Sequence, residues 1–393
     1  MKEIMISKNN EGTTIALLED GLLIEKYEDT ENKNYLEEKI YLGIVKDILP
    51  GMQAAFIDIG EEKNTFIHLK DLLPKIDITK NKEKNDKTIS EVIKPGDKIL
   101  VQVKRDSTNI KGAKVSTHVS LANRFTVLMP ETDIITASQK IEDEKEKKRL
   151  IDIVKNIIPK NYGAIIRTSS IGKAEKDIRQ DLEESIRKWE KIKEKADTAI
   201  KVPILIDSGN SFIKKMIIDL IDKDITKIII NSEEYVNEIK EILSNIDTKN
   251  DIKLEFKNRE EILKIYGTDD QIEKTKARKV YLKCGGFITI DKTEALTAID
   301  VNSGRYTGKR DVEETILKVN KEATIEIAKQ LRLRDIGGVI IIDYIDMNLE
   351  KNKNEIEELL KEELKKDRSK TQVIGFSKLD LLEMTRKHIR GEG

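Results

Sequence analysis

"EALTAIDVNSGRYTGKRDVEET", residues 294–315, opens as an apolar strand and breaks at Asp300 into Asp-Val-Asn-Ser-Gly, followed by a basic, glycine-containing loop. With a strand period of two, Leu296, Ala298, Asp300 and Asn302 fall on one face and Thr297, Ile299 and Val301 on the other. Two polar side chains therefore project together at the strand end. The next segment, "DVEETILKVNKEATIEIAKQLRLRD", carries apolar residues at 316, 319, 323 and 327, acids in its first turn, and Arg332 and Arg334 in its last, which predicts a helix. It stops at "IGGVIIIDYIDM", where Gly337 and Gly338 open a buried strand that again ends in an aspartate, Asp343. Strand, helix, strand is a crossover unit, and such strands lie parallel in one sheet. Asp300 and Asp343 then emerge at the same carboxyl edge, roughly 5 Å apart on neighbouring strands or twice that with one strand between.

Two carboxylates left that close repel, and a divalent cation removes the conflict. Magnesium suits the pair, because it takes oxygen ligands, keeps several waters and is commonly held by one or two carboxylates plus substrate phosphate. Asn302 can orient a water or donate to a phosphate oxygen. A lone Asp at a strand end is ordinarily a turn or cap residue. Two Ile-Asp strand ends joined by one helix recur where open α/β sheets bind ligands, and spacing alone leaves both readings open.

The rest of the chain sets bounds. A length of 393 residues predicts two to four domains with sizeable cores. One cysteine, Cys284, excludes an internal disulfide framework and any Cys-x-x-Cys motif and fits a reducing, cytoplasmic setting. No 18-residue apolar run occurs and the first residues lack the apolar core of a signal peptide, so no membrane segment is expected. Charged residues make up 37% yet the net charge is -1, so only local excesses of one sign are informative. One is the acid-free stretch between Lys155 and Ala174, which holds Lys160, Arg167 and Lys173. No Walker A, GxGxxG, GxSxG or HExxH motif is present.

Residues 1 to about 34 read as a β-meander with Asp20-Gly21 as its hairpin turn. From Lys39, five or so short strands separated by Gly or Pro turns predict a small barrel such as an OB fold. In "QAAFIDIG" and "NTFIHLK", Phe56 and Phe66 fall on what reads as the polar face of successive strands, where bases stack, or else on an inverted core face. A charged amphipathic helix, "AEKDIRQDLEESIRKWEKIKEKA", precedes an α/β alternation beginning at "VPILID". In the acid-free stretch, Arg167 offers a planar donor fork and Thr168 a hydroxyl, a weak signal for a terminal phosphate. Trp189 and Cys284 read as core residues.

At this point "EALTAIDVNSGRYTG", "DVEET", "QLRLRDIGGVIIIDYIDM" and "LLEMTRK" resemble, in order, the catalytic signatures of the ribonuclease E/G family of bacterial endoribonucleases. The resemblance implies an α/β multidomain chain. Residues 1–34 and 202–276 would be the two parts of an RNase H-like domain, and 35–119 an S1-type OB barrel inserted in it. Residues 120–201 would be a 5′-sensor region, and 277–393 a DNase I-like catalytic domain. It implies Mg2+ held by Asp300 and Asp343 with Asn302 assisting, and single-stranded RNA contacted by Phe56, Phe66 and Lys111. A pocket of Arg167, Thr168 and Val127 would sense a 5′ monophosphate. Asn123, where glycine is typical, and Lys140, where arginine is common, depart from the pattern at that pocket. Family members usually continue into a Cys-Pro-x-Cys zinc link and a dimerising domain. This sequence ends at Gly393 before both, so no zinc site is expected in it, and a homo-oligomer stays an open expectation. The rival readings are a catalytically inactive RNA-binding relative, which the intact Asp300 and Asp343 argue against, and a small-molecule metal phosphatase, which the barrel disfavours.

Overall fold

Strand-forming and helix-forming runs alternate along the whole chain, and the computed structural model describes residues 1–30, 35–72, 88–106, 112–221, 224–244, 252–304 and 312–388. Lys111 and most of the basic loop after Gly304 lie outside the described residues. The chain divides into two compact units, one of residues 1–32, 223–237 and 248–392, the other of 33–222 and 238–247 together with Gly393.

In the first unit, the amino-terminal meander of Lys2–Asn9, Gly12–Glu19 and Leu22–Thr30 is antiparallel. Its hairpin turns at Asp20 and Gly21, with φ of 50° and 77°, the left-handed pair that a two-residue turn of this twist demands. The first strand also pairs in parallel with Ile225–Ile230, which pairs in turn with Lys253–Phe256, so a five-stranded sheet draws on two distant parts of the chain.

The same unit holds a six-stranded sheet in the spatial order Lys279–Tyr281, Phe287–Lys292, Leu296–Asn302, Gly338–Asp343, Leu381–Arg386, Thr371–Phe376. Only its two central strands are parallel, as the crossover helix Val312–Leu333 requires. One face packs on that helix and on Glu350–Leu364: Ile288, Ile299, Val301, Ile340, Ile342, Leu382 and Met384 meet Val319, Ala323, Ile327, Leu331, Ile356 and Leu360. The opposite face is exposed or half-buried and mixes polar side chains such as Thr289, Asp300, Asp343 and Glu383 with apolar ones such as Phe287, Val339 and Ile341. Arg386 is fully buried beside the core. It donates to Asp367 (2.8 Å), Asp335 (2.7 Å) and the Ile336 carbonyl (2.8 Å), and so locks the last strand to the end of the crossover helix.

In the second unit, Ile40–Leu49, Ala54–Asp58, Thr65–His68, Lys114–Ser116 and Lys98–Arg105 close into a five-stranded barrel, the last named pairing back to the first. In chain order the strands run first, second, third, fifth, fourth. A short helix, Ile89–Val92, precedes the fourth strand. The barrel core is Val45, Ala55, Ile57, Ile67, Val101, Val103 and Val115. The strand expected at "VPILID" is present as Ile204–Asp207, but it pairs antiparallel with the first barrel strand and not with the five-stranded sheet. A four-stranded sheet of Leu121–Ala122, Thr126–Pro130, Tyr162–Ile166 and Ile135–Ala137 packs on helices Glu144–Ile157 and Glu175–Asp197, with Trp189 buried among them. Cys284, expected in the core, is half-buried, because its backbone sits in the turn leading to Gly285 and Gly286.

Candidate functional site

The strand Leu296–Asn302 alternates as its sequence demands: Thr297, Ile299 and Val301 are buried while Ala298 and Asp300 are exposed and Asn302 half-buried. Its neighbour Gly338–Asp343 runs parallel in a register that sets Asp300 directly against Asp343. With adjacent strands about 4.8 Å apart, the two carboxylates leave the same open face side by side. Asn302 Nδ2 donates to Asp300 Oδ2 at 2.5 Å, fixing the orientation of that carboxylate. Partial desolvation at the sheet surface, then the charges of Asp300 and Asp346, raise the Asp343 carboxyl above the usual range.

The segment after Asp343 is pinned from beneath. Asn320, fully buried in the crossover helix, donates to the Ile345 carbonyl at 2.8 Å and accepts from the Ile345 amide at 3.2 Å. Thr324 Oγ1 lies 2.9 Å from the Tyr344 hydroxyl. A polar Asn and Thr on the core side of an apolar helix carry no periodic signal, and the sequence reading passed over both. On the other side, the Gly286 backbone runs so close to the Asn302 carbonyl that a Cβ there would sit 2.7 Å from it, so this turn requires glycine.

Two carboxylates and an amide form an all-oxygen donor set toward any bound cation. That fits a hard divalent ion which keeps waters, and does not fit zinc with its nitrogen and sulfur ligands. Among the described residues no group of three or more His, Cys, Asp or Glu is placed to hold a metal.

On the barrel, Phe56 and Phe66 are direct cross-strand partners with ring centroids 6.1 Å apart in an edge-to-face arrangement. Both are half-buried, whereas Ala55, Ile57 and Ile67 on the alternate face are fully buried. Lys114 pairs in register with Phe66, and Arg105 with Lys114, so a basic pair extends the aromatic row. The sequence reading missed both, since only the barrel's closure brings them there. Lys114 is engaged by Asp71 at 2.8 Å.

Arg167, Thr168 and Val127 lie on neighbouring segments. Val127 is opposite Ile165 in the four-stranded sheet, the Arg167 amide donates to the Phe125 carbonyl, and Thr168 is exposed at the start of a short 3-10 turn. The Arg167 fork is already engaged: Nη1 donates to the Asn123 carbonyl at 2.8 Å and Nη2 to Asp219 Oδ1 at 2.5 Å. Asp219 was not foreseen; it belongs to helix Phe212–Leu220, 52 residues away.

A family model described as the ribonuclease E/G family matches residues 120–389. The chain is 38% identical to "Ribonuclease G" of Haemophilus influenzae and 36% identical to "Ribonuclease G" of Escherichia coli K12, each match covering 99% of this chain and 80% of the relative. It is 36% identical to "Ribonuclease E" of a Nostoc species over 88% of this chain and 50% of that protein. No helix among the described residues is long and apolar enough to cross a membrane. The two aspartates in register, the aromatic row on a closed barrel and these matches lead to one conclusion: the chain belongs to the ribonuclease E/G family.

Proposed function

We propose that the chain is a magnesium-dependent endoribonuclease that cuts single-stranded RNA, acting in the cytoplasm in RNA processing and mRNA decay. The observation that carries this reading is the register of Asp300 against Asp343 on adjacent parallel strands, with Asn302 bonded to Asp300 on the same open face. Asp300 and Asp343 would hold the metal. When bound, Mg2+ supplies a Lewis acid for the scissile phosphate and lowers the pKa of a bound water. Asn302 holds the Asp300 carboxylate in one orientation through its amide donor. The Asn320 and Thr324 bonds hold the segment after Asp343 rigid. Hydrolysis breaks the bond between phosphorus and the 3′ oxygen, leaving 5′-phosphate and 3′-hydroxyl ends.

The remaining surfaces take supporting roles in this reading. The barrel's strand order and its helix before the fourth strand support an S1-type OB domain over 35–119, with Phe56 and Phe66 stacking bases and Lys111 making a basic contact. The mixed five-stranded sheet, drawn from residues 2–30 and 225–256, is in keeping with an RNase H-like domain built from 1–34 and 202–276 except at Ile204–Asp207, which pairs with the barrel, and the six-stranded sheet with a DNase I-like domain over 277–393. Residues 120–201 form the 5′-sensor region. There a terminal monophosphate displaces Asp219 from Arg167 and takes the Thr168 hydroxyl, with Val127 beside it. The decisive test is cleavage of a 5′-monophosphorylated single-stranded RNA by the purified chain. Cutting with Mg2+, and none with EDTA, is expected; equal cutting in both overturns the reading.

A further inference from the structure

The carboxylate pair has an aromatic neighbour on its own face of the sheet. Register runs Lys279, Thr289, Asp300, Asp343 across four strands, and in the adjoining row Tyr281, Phe287, Asn302. Tyr281 is 73% exposed on the edge strand, an unusual place for one of the chain's few aromatic side chains. Phe287 meets it edge-to-face with centroids 6.3 Å apart. Lys279 Nζ lies 3.4 Å from the Phe287 centroid and 4.9 Å from that of Tyr281. Phe287 is thus covered by a cation while much of the Tyr281 ring faces solvent. Burial alone does not explain this: an edge tyrosine kept in water gains little from packing.

We propose that Tyr281 is a substrate-positioning residue, stacking one unpaired base of the RNA strand next to the scissile phosphate, with Phe287 holding the ring and Lys279 facing the adjoining backbone phosphate. This rests on the nuclease reading above and adds to it the subsite that sets the strand's position. Three observations fix the occupant as a nucleotide. The platform is continuous with the carboxylate row. It lies two strand spacings, roughly 10 Å, from Asn302, within reach of a nucleotide or two of extended strand. And the cation-flanked π face is what single-stranded nucleic acid sites use without sequence selection. Because the stack forms before bond breaking and persists through it, its loss should raise KM with kcat nearly unchanged.

The test is a double-mutant cycle between protein and RNA. Tyr281→Ala and Tyr281→Phe are compared with the parent on one single-stranded RNA and on a series carrying an abasic site at each nucleotide flanking the cut. Tyr281→Ala should lower kcat/KM about 5- to 150-fold through KM, and Tyr281→Phe should restore it. At one abasic position the parent should show the same loss and Tyr281→Ala should add nothing to it. A merely structural tyrosine predicts instead additive losses at every position, or no loss; either result overturns the proposal while parent cleavage leaves the nuclease reading intact. Should the parent not cleave, that reading fails by itself. The same cycle run as equilibrium affinity for fluorescein-labelled RNA then decides the platform, coupling supporting it and additivity overturning it.

Discussion

Replacing Asp219 with asparagine should sharpen the preference for 5′-monophosphorylated RNA. The Asp219 carboxylate holds Arg167 at 2.5 Å, and the two side chains are 27% and 31% exposed. A sheltered charge-assisted hydrogen bond contributes about 1.5–3 kcal/mol and a fully exposed ion pair about 0.2–1 kcal/mol. A pair one-third exposed falls between, near about 1 kcal/mol. A terminal phosphate must overcome that contact to reach the guanidinium, so binding at Arg167 is weakened by the same amount. The Asp219→Asn side chain would keep an acceptor oxygen of similar shape while removing the charge, and with it most of the competition and all of the repulsion of an incoming dianion. The ratio of kcat/KM for 5′-monophosphate over 5′-hydroxyl versions of one RNA should rise about fivefold. Cutting of the 5′-hydroxyl RNA should stay where it was. A ratio that is unchanged or lower would refute the competition, and equal rates on both RNAs in the parent would remove the sensor altogether.

Phe56→Ala and Phe66→Ala should each weaken single-stranded RNA binding by about 1–3 kcal/mol, read by filter binding; unchanged affinity with a lowered melting temperature would make them core residues. Arg386→Met leaves Asp367, fully buried, without its guanidinium, and should cost about 3–5 kcal/mol in chemical denaturation; a loss under about 1 kcal/mol would contradict the burial argument. Burial pushes the Asp181 carboxyl up to about 6, against the opposing pull of donors from Thr126 and Phe125. A folded value above the unfolded one means stability is fully present below about pH 4 and lost as pH rises through about 6. The parent should therefore lose up to about 3 kcal/mol relative to Asp181→Asn over that window, and a pH-independent difference would refute the assignment.

What was legible in the sequence is what short-range periodicity encodes. Alternation alone puts Asp300 and Asn302 on one face, and Ile299 and Val301 on the other, because strand side chains repeat every two residues. The same rule separates Phe56 from Ile57. The crossover helix foretold parallel strands, but the register of Asp300 against Asp343 depends on how far that helix carries the chain, which spacing bounds and does not set. The Tyr281 and Phe287 pairing was readable in principle, being a hairpin closed over Gly285-Gly286 with aromatics on matching alternates. The grip of Asp219 on Arg167 was not readable, since a side-chain pair 52 residues apart leaves no periodic trace. Neither was the pairing of Ile204–Asp207 with the barrel, because it uses residues 40–42, the start of the first barrel strand that extends past its pairing with Ala54–Asp58, and nothing in either sequence marks that overhang.

The account depends most on the two aspartates acting as one metal-holding pair. Isothermal titration of Mg2+ or Mn2+ into the parent, Asp300→Asn and Asp343→Asn, run beside RNA cleavage and RNA affinity on the same preparations, tests this directly. Each substitution should abolish specific metal uptake and most cleavage while leaving RNA affinity within about twofold, because neither side chain lies on the barrel's aromatic row. Near-parental cleavage by either variant at saturating metal would contradict the account.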